Sequence, residues 1–325
     1  MNRLLAHFGS LRHTLALMGL LAAVVLISPT RAALSLVVAG LALNLVAALV
    51  VHPVLRRQLP LLVAHLALLV LVVAVALGRL MALDGRFELT QGESFEGDLL
   101  DRDAGPLHVN RLQALSFRHD GFEIDYAPGR KRGATRNAVT WHGSDGRPQS
   151  AVIGDHHPLV LDGHRIYTSP NKGFAPLLRW ESTQGPPVRG AVHLPSFPAQ
   201  ELHQSREWSL PGGPAVWVML QIDEPLIDPA RATHFSMPRE PQLVLRVGEL
   251  RAVLKPGESV ELPGGRLVFE ELRTWMGYRV AYDPTLPWLL VAALVAALSL
   301  GVHYLQKFRA QPASAALQHT EVAHG

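Results

Sequence analysis

Four long apolar runs constrain the fold of this chain more than any other feature of its sequence. Each run is close to the roughly 17 to 25 residues that an α-helix needs to cross a bilayer. The runs are Leu11 to Ile27, Ala32 to Val51, Leu59 to Leu80 and Leu286 to Tyr304. The sequence therefore predicts a polytopic α-helical membrane protein with four spans. We expect the first run to remain as a span, because no small-residue cleavage site follows it and two further runs come at once.

Positive charges in the short loops predict the orientation of these spans. Arg56 and Arg57 lie between the second and third runs, and Lys307 and Arg309 follow the fourth. Lys and Arg near span ends favour the cytoplasmic side. Only Arg31, in the turn between the first two runs, opposes this arrangement. We therefore expect the N-terminus on the cytoplasmic side of the membrane and the largest loop on the outer side.

This largest loop has the sequence pattern of a β-rich domain. Short alternating runs are separated by the turn dipeptides Asp120-Gly121, Asp145-Gly146 and Asp162-Gly163. The pattern predicts an extracytoplasmic all-β domain, sandwich or barrel-like. The expected organisation is a membrane domain of three transmembrane helices at 1–83, the β-rich domain at 84–285, the fourth transmembrane helix at 286–305 and a cytoplasmic tail at 306–325.

Composition excludes several classes of function. The chain has no cysteine, which removes disulfides, thiolate-held zinc or iron–sulfur sites and CxxCH attachment of haem. The formal net charge is only +3, and the basic residues are scattered, so nucleic acid is not an expected partner. No HExxH or GxSxG motif is present, and the outer-domain histidines lack the spacing of a metal site. We assign no catalytic residue.

His65 is the first candidate for a functional site, because it lies inside the third apolar run. Ionisable residues within lipid are costly and are often functional. A neutral imidazole gives one lone pair to a metal while its other nitrogen donates a hydrogen bond, as axial haem ligation requires. The alternative is a packing histidine that bonds to a neighbouring helix carbonyl or to Asn44. His52 and His303 lie at a similar depth and are further candidates, although histidines are common at interfaces.

Three stretches of the sequence resemble one known family. They are AHLALLVLVVAVALGRLMALDGRFELTQGESFEGDL, LDGHRIYTSPNKGFAP and LRTWMGYRVAYDPTLPWLLVAALVAALSLGVHYL. Together with the order of three spans, a large outer domain and one last span, they resemble the ResB (CcsB) family of System II cytochrome c biogenesis. The outer domain here is compact beside those of many family members.

The resemblance implies a subunit that carries haem across the membrane and helps to deliver it to apocytochrome c. The histidine of the family's third span is an axial ligand to haem b, and it corresponds to His65 here. The resemblance also implies a ResC/CcsA-type membrane subunit as partner, which supplies the tryptophan-rich motif and the external haem histidines. This chain would then be a non-catalytic or co-catalytic subunit of the cytochrome c synthase (haem lyase) complex.

A different class of function also fits the sequence. The chain could be a membrane-anchored β-domain protein that binds a protein or peptide partner without haem, through edge strands and Pro-rich loops. Within the outer domain we expect the segment Ser169 to Pro176 to be a loop, with Asn171, Lys172 and Gly173 at its tip. This loop is a candidate contact for a partner or for apocytochrome c.

Overall fold

The computed structural model describes residues 2–27, 30–109 and 111–309. These residues fall into two compact units. A helical unit comprises residues 1–83, 104–109 and 283–325, and a β unit comprises residues 84–103 and 110–282. The predicted tail after Ala310 lies outside the described residues.

The helical unit contains six described helices. They are α1 Asn2–Phe8, α2 Leu11–Ile27, α3 Arg31–Val51, α4 Pro53–Arg57, α5 Leu59–Met81 and α6 Leu286–Arg309. Three of them, α3, α5 and α6, are long and apolar enough to cross a membrane, whereas α2 is shorter, with 17 residues. Apolar side chains cover much of the helix surfaces, which is the expected exterior of helices in lipid. The chain is therefore a membrane protein with a large β-rich region.

The end of α5 is capped by a segment that is distant in sequence. Gly105 N donates to Ala82 O, Leu107 N donates to Leu80 O, and the His108 ring contacts Met81 O. These bonds satisfy carbonyls that the end of a helix leaves without partners. A Cβ at Gly105 would lie 2.2 Å from Leu80 O, so the approach requires glycine. The segment 104–109 therefore belongs to the helical unit, although it lies inside the predicted outer domain.

The β unit consists of three sheets, and every strand pair with a described register is antiparallel. The first sheet has the order β2-β1-β15-β7-β6, with β14 paired to β15 and β8 to β7; the others have the orders β13-β12-β10-β9 and β11-β3-β4-β5. The strands are β1 Leu83–Thr90, β2 Asp101–Ala104, β3 Phe117–Ala127, β4 Lys131–His142, β5 Pro148–Ile153, β6 Leu159–Leu161, β7 His164–Ser182, β8 Val188–Ala191, β9 Ser205–Ser209, β10 Ala215–Gln221, β11 Thr233–His234, β12 Gln242–Val247, β13 Leu250–Leu254, β14 Ser259–Leu262 and β15 Gly265–Tyr282.

One hydrophobic core joins the three sheets. Ile124 of β3, Trp180 of β7 and Val218 of β10 are among its fully buried members. Alternate residues of β10 point inward, as the two-residue period of a strand requires. The prediction of a β-rich domain is confirmed. Its strands form three sheets, whereas a sandwich has two.

The segment Ser169 to Pro176 is not a loop, which corrects the sequence prediction. It lies within β7, a strand of 19 residues that pairs with β15 along most of its length. The register passes from Thr168 opposite Tyr278 to Lys172 opposite Met276, so three residues bulge opposite Gly277. A bulge accepts proline because the unpaired residue need not donate to the ladder. The turn-like residues therefore mark an irregularity within a strand.

Candidate functional site

Helix α5 places His65 near its N-terminal end. The helix begins at Leu59, and Pro60 occupies its first turn, where the missing N–H would have no helical partner in any case. His65 follows six residues after the start, which is about 9 Å along the axis at ~1.5 Å per residue. The side chain is half-buried in an otherwise apolar stretch of the helix.

One hydrogen bond defines the protonation pattern of the His65 ring. Nδ1 lies 2.7 Å from the backbone oxygen of Leu61, one turn earlier in the same helix. Because a carbonyl oxygen only accepts, Nδ1 must carry the hydrogen, and in the neutral ring the lone pair is then on Nε2. No second hydrogen bond to His65 is present among the described residues. The lone pair of Nε2 therefore has no hydrogen-bond partner in the described part of the chain.

Small residues allow the helices to pack closely around this part of the unit. Ala64 and Ala67, on either side of His65 in the sequence, are buried, and α5 packs against both α3 and α6. Near the other end of α5, a Cβ at Gly78 would lie 2.8 Å from Thr285 Oγ1. Small side chains at helix interfaces are the usual means of close approach in membranes.

The other two candidate histidines of the helical unit differ from His65. The Nε2 atom of His52 lies 3.1 Å from the backbone oxygen of Gly9, so that nitrogen holds the loop after α3 against the N-terminal segment. His303 lies on α6 and contacts the ring of Tyr304. Among the described residues, no hydrogen bond or ring contact joins either of them to His65.

Asn44 does not bond to His65, although the sequence left that contact open. Its amide donates to Phe8 O, and its oxygen accepts from Thr14 Oγ1 at 2.8 Å. The packing alternative for His65 therefore lacks its polar partner on α3. The bond that His65 does form lies within its own helix and leaves the second ring nitrogen available.

Two outer-domain histidines, His193 and His119, are held by neighbouring side chains. His193 is held between Glu88 and Thr90, each 2.9 Å from one of its ring nitrogens. His119 receives a hydrogen bond from Asn137, and burial lowers the pKa of its imidazole to about 4. Both rings are therefore fixed by neighbours, and neither presents an unused lone pair. In the described part of the chain, no group of three or more His, Asp or Glu side chains is arranged to hold a metal ion.

The sequence matches the model of the ResB-like family over residues 55–224, which is just over half of the 325 residues. The chain belongs to the ResB-like family. The matched region includes α5 with His65 and the first two of the three stretches that carried the resemblance. Membership in the ResB-like family supports a role in cytochrome c biogenesis.

The other two comparisons add little to this assignment. Curated protein sequences give no match. One matching solved structure is titled "Cytochrome c Heme Lyase CcmF", at 15% sequence identity, a probability of 0.99 and a TM-score of 0.23. The alignment covers 89% of this chain and 34% of that chain, so this ResB-like protein spans about a third of that protein's length. A TM-score this low shows no shared fold.

Proposed function

We propose that this ResB-like protein carries haem across the membrane and helps to deliver it to apocytochrome c, as one subunit of a cytochrome c maturation complex. The observation that carries the proposal is the hydrogen bond from His65 Nδ1 to Leu61 O, which directs the lone pair of Nε2 away from the helix backbone. A packing histidine needs no such free nitrogen. The proposed cofactor is haem b, transiently bound.

In this proposal His65 is one axial ligand and the polypeptide adds no covalent chemistry of its own. Bound haem would supply a Lewis-acidic iron, and His65 would donate the Nε2 lone pair to it within an apolar helix where water is scarce. His65 also fixes the position of the haem in the membrane. The attachment of haem to apocytochrome thiols then falls to the complex, and this chain acts as its non-catalytic or co-catalytic subunit.

The second axial ligand is proposed to come from a ResC/CcsA-type partner. Neither His52, at the end of α3, nor His303, on α6, has a described contact with His65. A single ligating residue leaves the haem open on one face. A partner histidine would close that face and hold the haem between the two subunits.

The visible spectrum of the purified protein tests this proposal. We expect the full chain, co-expressed with a ResC/CcsA-type subunit and purified in detergent, to show a haem Soret band and to retain the partner. The chain expressed alone should retain much less haem. Absence of haem from both preparations would favour the alternative of a membrane-anchored β-domain that binds a protein or peptide.

The proposed topology has four spans, with α2 as the first, both termini in the cytoplasm and the β unit on the periplasmic side of the bacterial inner membrane. The basic residues Arg56, Arg57, Lys307 and Arg309 support it. Alkaline phosphatase fused after Gly190 should be active, and the same reporter fused after Arg57 should be inactive. Activity after Arg57, or its absence after Gly190, would contradict this orientation.

A further inference from the structure

A cleft of about 500 Å³ opens on the β unit beside β4 and the segment that follows β5. Arg132, Thr135 and Asp155 line it, together with the exposed residues His156 and His157. None of these residues belongs to the proposed haem ligand site in α5. The cleft is therefore separate from that site.

Arg132 has hydrogen-bonding capacity that the protein does not use. One terminal nitrogen, Nη2, donates to Asp155 Oδ1 at 2.6 Å and to Thr135 Oγ1 at 2.5 Å. The Nε atom is buried and has no hydrogen-bond partner among the described residues. No bond from Nη1 is present in that part of the chain either. Arginine presents its donors as a planar fork that matches a carboxylate, and here part of the fork is unused.

Lys172 brings a second positive charge close to Arg132. The side chain is only 3% exposed, and its one described hydrogen bond is a long contact of 3.4 Å from Nζ to Pro170 O. Among the described residues, no carboxylate lies within ion-pair distance of it. Burial first, and then the charge of Arg132, lower the pKa of Lys172 to about 8, while Asp155 acts in the opposite direction.

Tyr126 adds another unused donor near the same arginine. Its ring is buried, and its hydroxyl has no hydrogen-bond partner in the described residues. Tyr126 lies opposite Arg132 in the pairing of β3 with β4, and it does not line the cleft. Burial raises the pKa of its hydroxyl, and the charge of Arg132 opposes the rise. Buried polar groups are nearly always paired, so two unpaired groups at one position of the sheet beside the cleft indicate a missing partner.

The charges of the cluster indicate the kind of ligand. Arg132 and Lys172 are two cations, and Asp155 is the one carboxylate that acts on both. The cluster therefore lacks one negative charge. A water molecule would satisfy a donor but would leave the surplus charge, which is costly away from solvent. One further carboxylate would satisfy both the donors and the charge.

We propose that the cleft beside Arg132 binds a carboxylate-bearing ligand, with the Nη1 group of Arg132 donating to the carboxylate and Lys172 supplying the second positive charge. The carboxylate has two possible sources: a free small dicarboxylate, or a propionate group of haem. Only the second source rests on the proposed function. Lys172 acts through charge and position and does not line the cleft.

Binding measured by calorimetry on the full chain in detergent tests the site. The chain carries His65→Ala, so that haem cannot use the α5 ligand and the result is independent of the proposed function. The probes are succinate, haem and haem dimethyl ester, whose propionates are blocked. If haem binds at least tenfold more tightly than its dimethyl ester, the ligand group is the haem propionate. If succinate binds saturably, the ligand is a free carboxylate. No binding of succinate, with equal binding of haem and its ester, overturns the proposal.

Variants of the cluster locate the binding. Arg132→Gln and Lys172→Met should each lower, at least tenfold, the affinity for whichever probe binds. Lys131→Met, at an exposed neighbouring position of β4, should leave this affinity unchanged. In the chain with Lys172 intact, affinity should fall as pH rises through about 8, because the ammonium loses its proton. If the affinity of the chain with Lys172 intact is constant between pH 7 and 9.5, the role of Lys172 is overturned. This measurement does not depend on whether a variant folds.

Discussion

The substitution His65→Ala is expected to remove most of the haem and most of the cytochrome c maturation while the protein still accumulates in the membrane. The lost Nε2 donor lies in an apolar segment, where water cannot readily replace it. A packing histidine would cost only about 1 kcal/mol of hydrogen bonding and would leave the spectrum unchanged. The measurement is the Soret absorbance per mole of protein, together with the yield of a reporter c-type cytochrome.

Two comparisons separate ligation from misassembly in this experiment. Free imidazole in the growth medium should partly restore both readouts, because it can occupy the space left by the side chain. The control His13→Ala removes an imidazole from α2, where the ring packs against Phe8, and should retain its haem. Normal haem content in His65→Ala protein would eliminate this residue as the ligand.

The substitution Lys172→Met is expected to stabilise the β unit at neutral pH. The pKa of Lys172 is lowered from 10.5 to about 8 in the folded protein. Because a shift of one pKa unit corresponds to about 1.4 kcal/mol, protonating this lysine in the folded state costs about 3 kcal/mol. Methionine has a similar length and no charge, so most of this cost should disappear. Unfolding of the full chain in detergent, followed by tryptophan fluorescence, measures the difference.

The pH dependence provides the sharper form of this prediction. Above pH 8 the folded protein has lost the Lys172 proton while the unfolded chain still holds it, so stability must rise with pH. Between pH 7.5 and 9.5 the unmodified chain should gain about 2 kcal/mol from this group. The Lys172→Met protein should lack that gain, and the Lys131→Met control should keep it. If the Lys172→Met protein is less stable than the unmodified chain at pH 7, the charge of Lys172 is compensated in the folded protein.

The helices were accessible from sequence because lipid imposes a strict rule on the backbone. A span must satisfy its own hydrogen bonds, and this forces long apolar runs whose ends can be read directly. The third run was predicted as Leu59 to Leu80, and α5 is Leu59–Met81. The strands at Gln242 and Ala215 were likewise readable from local alternation and turn residues.

The path through residues 169–176 was not accessible, because it depends on pairing with residues about a hundred positions later. Ser-Pro-Asn-Lys-Gly has the local chemistry of a turn. The register with β15, with Gly277 opposite the bulge, and the backbone bonds that Phe197 and Leu194 donate to the other side keep the segment extended. The burial of Lys172 follows from the same pairing. No local signal marks Arg132 either, since its unused donors exist only in the folded arrangement.

For His65 the sequence indicated the residue but not the state of its ring. The choice of nitrogen depends on a single contact with Leu61 O, and the sequence left open a bond to Asn44 or to another helix. The structure assigns Asn44 to Thr14 and Phe8 instead.

The local origin of the His65 hydrogen bond has a consequence for the order of biogenesis. Donor and acceptor are four residues apart, so the bond forms as soon as that turn of α5 is helical. No tertiary contact, partner or outer strand is needed to set the tautomer. We therefore expect a nascent chain released after its third apolar segment to be already competent to coordinate iron. Haem loading would then be able to precede synthesis of the C-terminal half of the polypeptide.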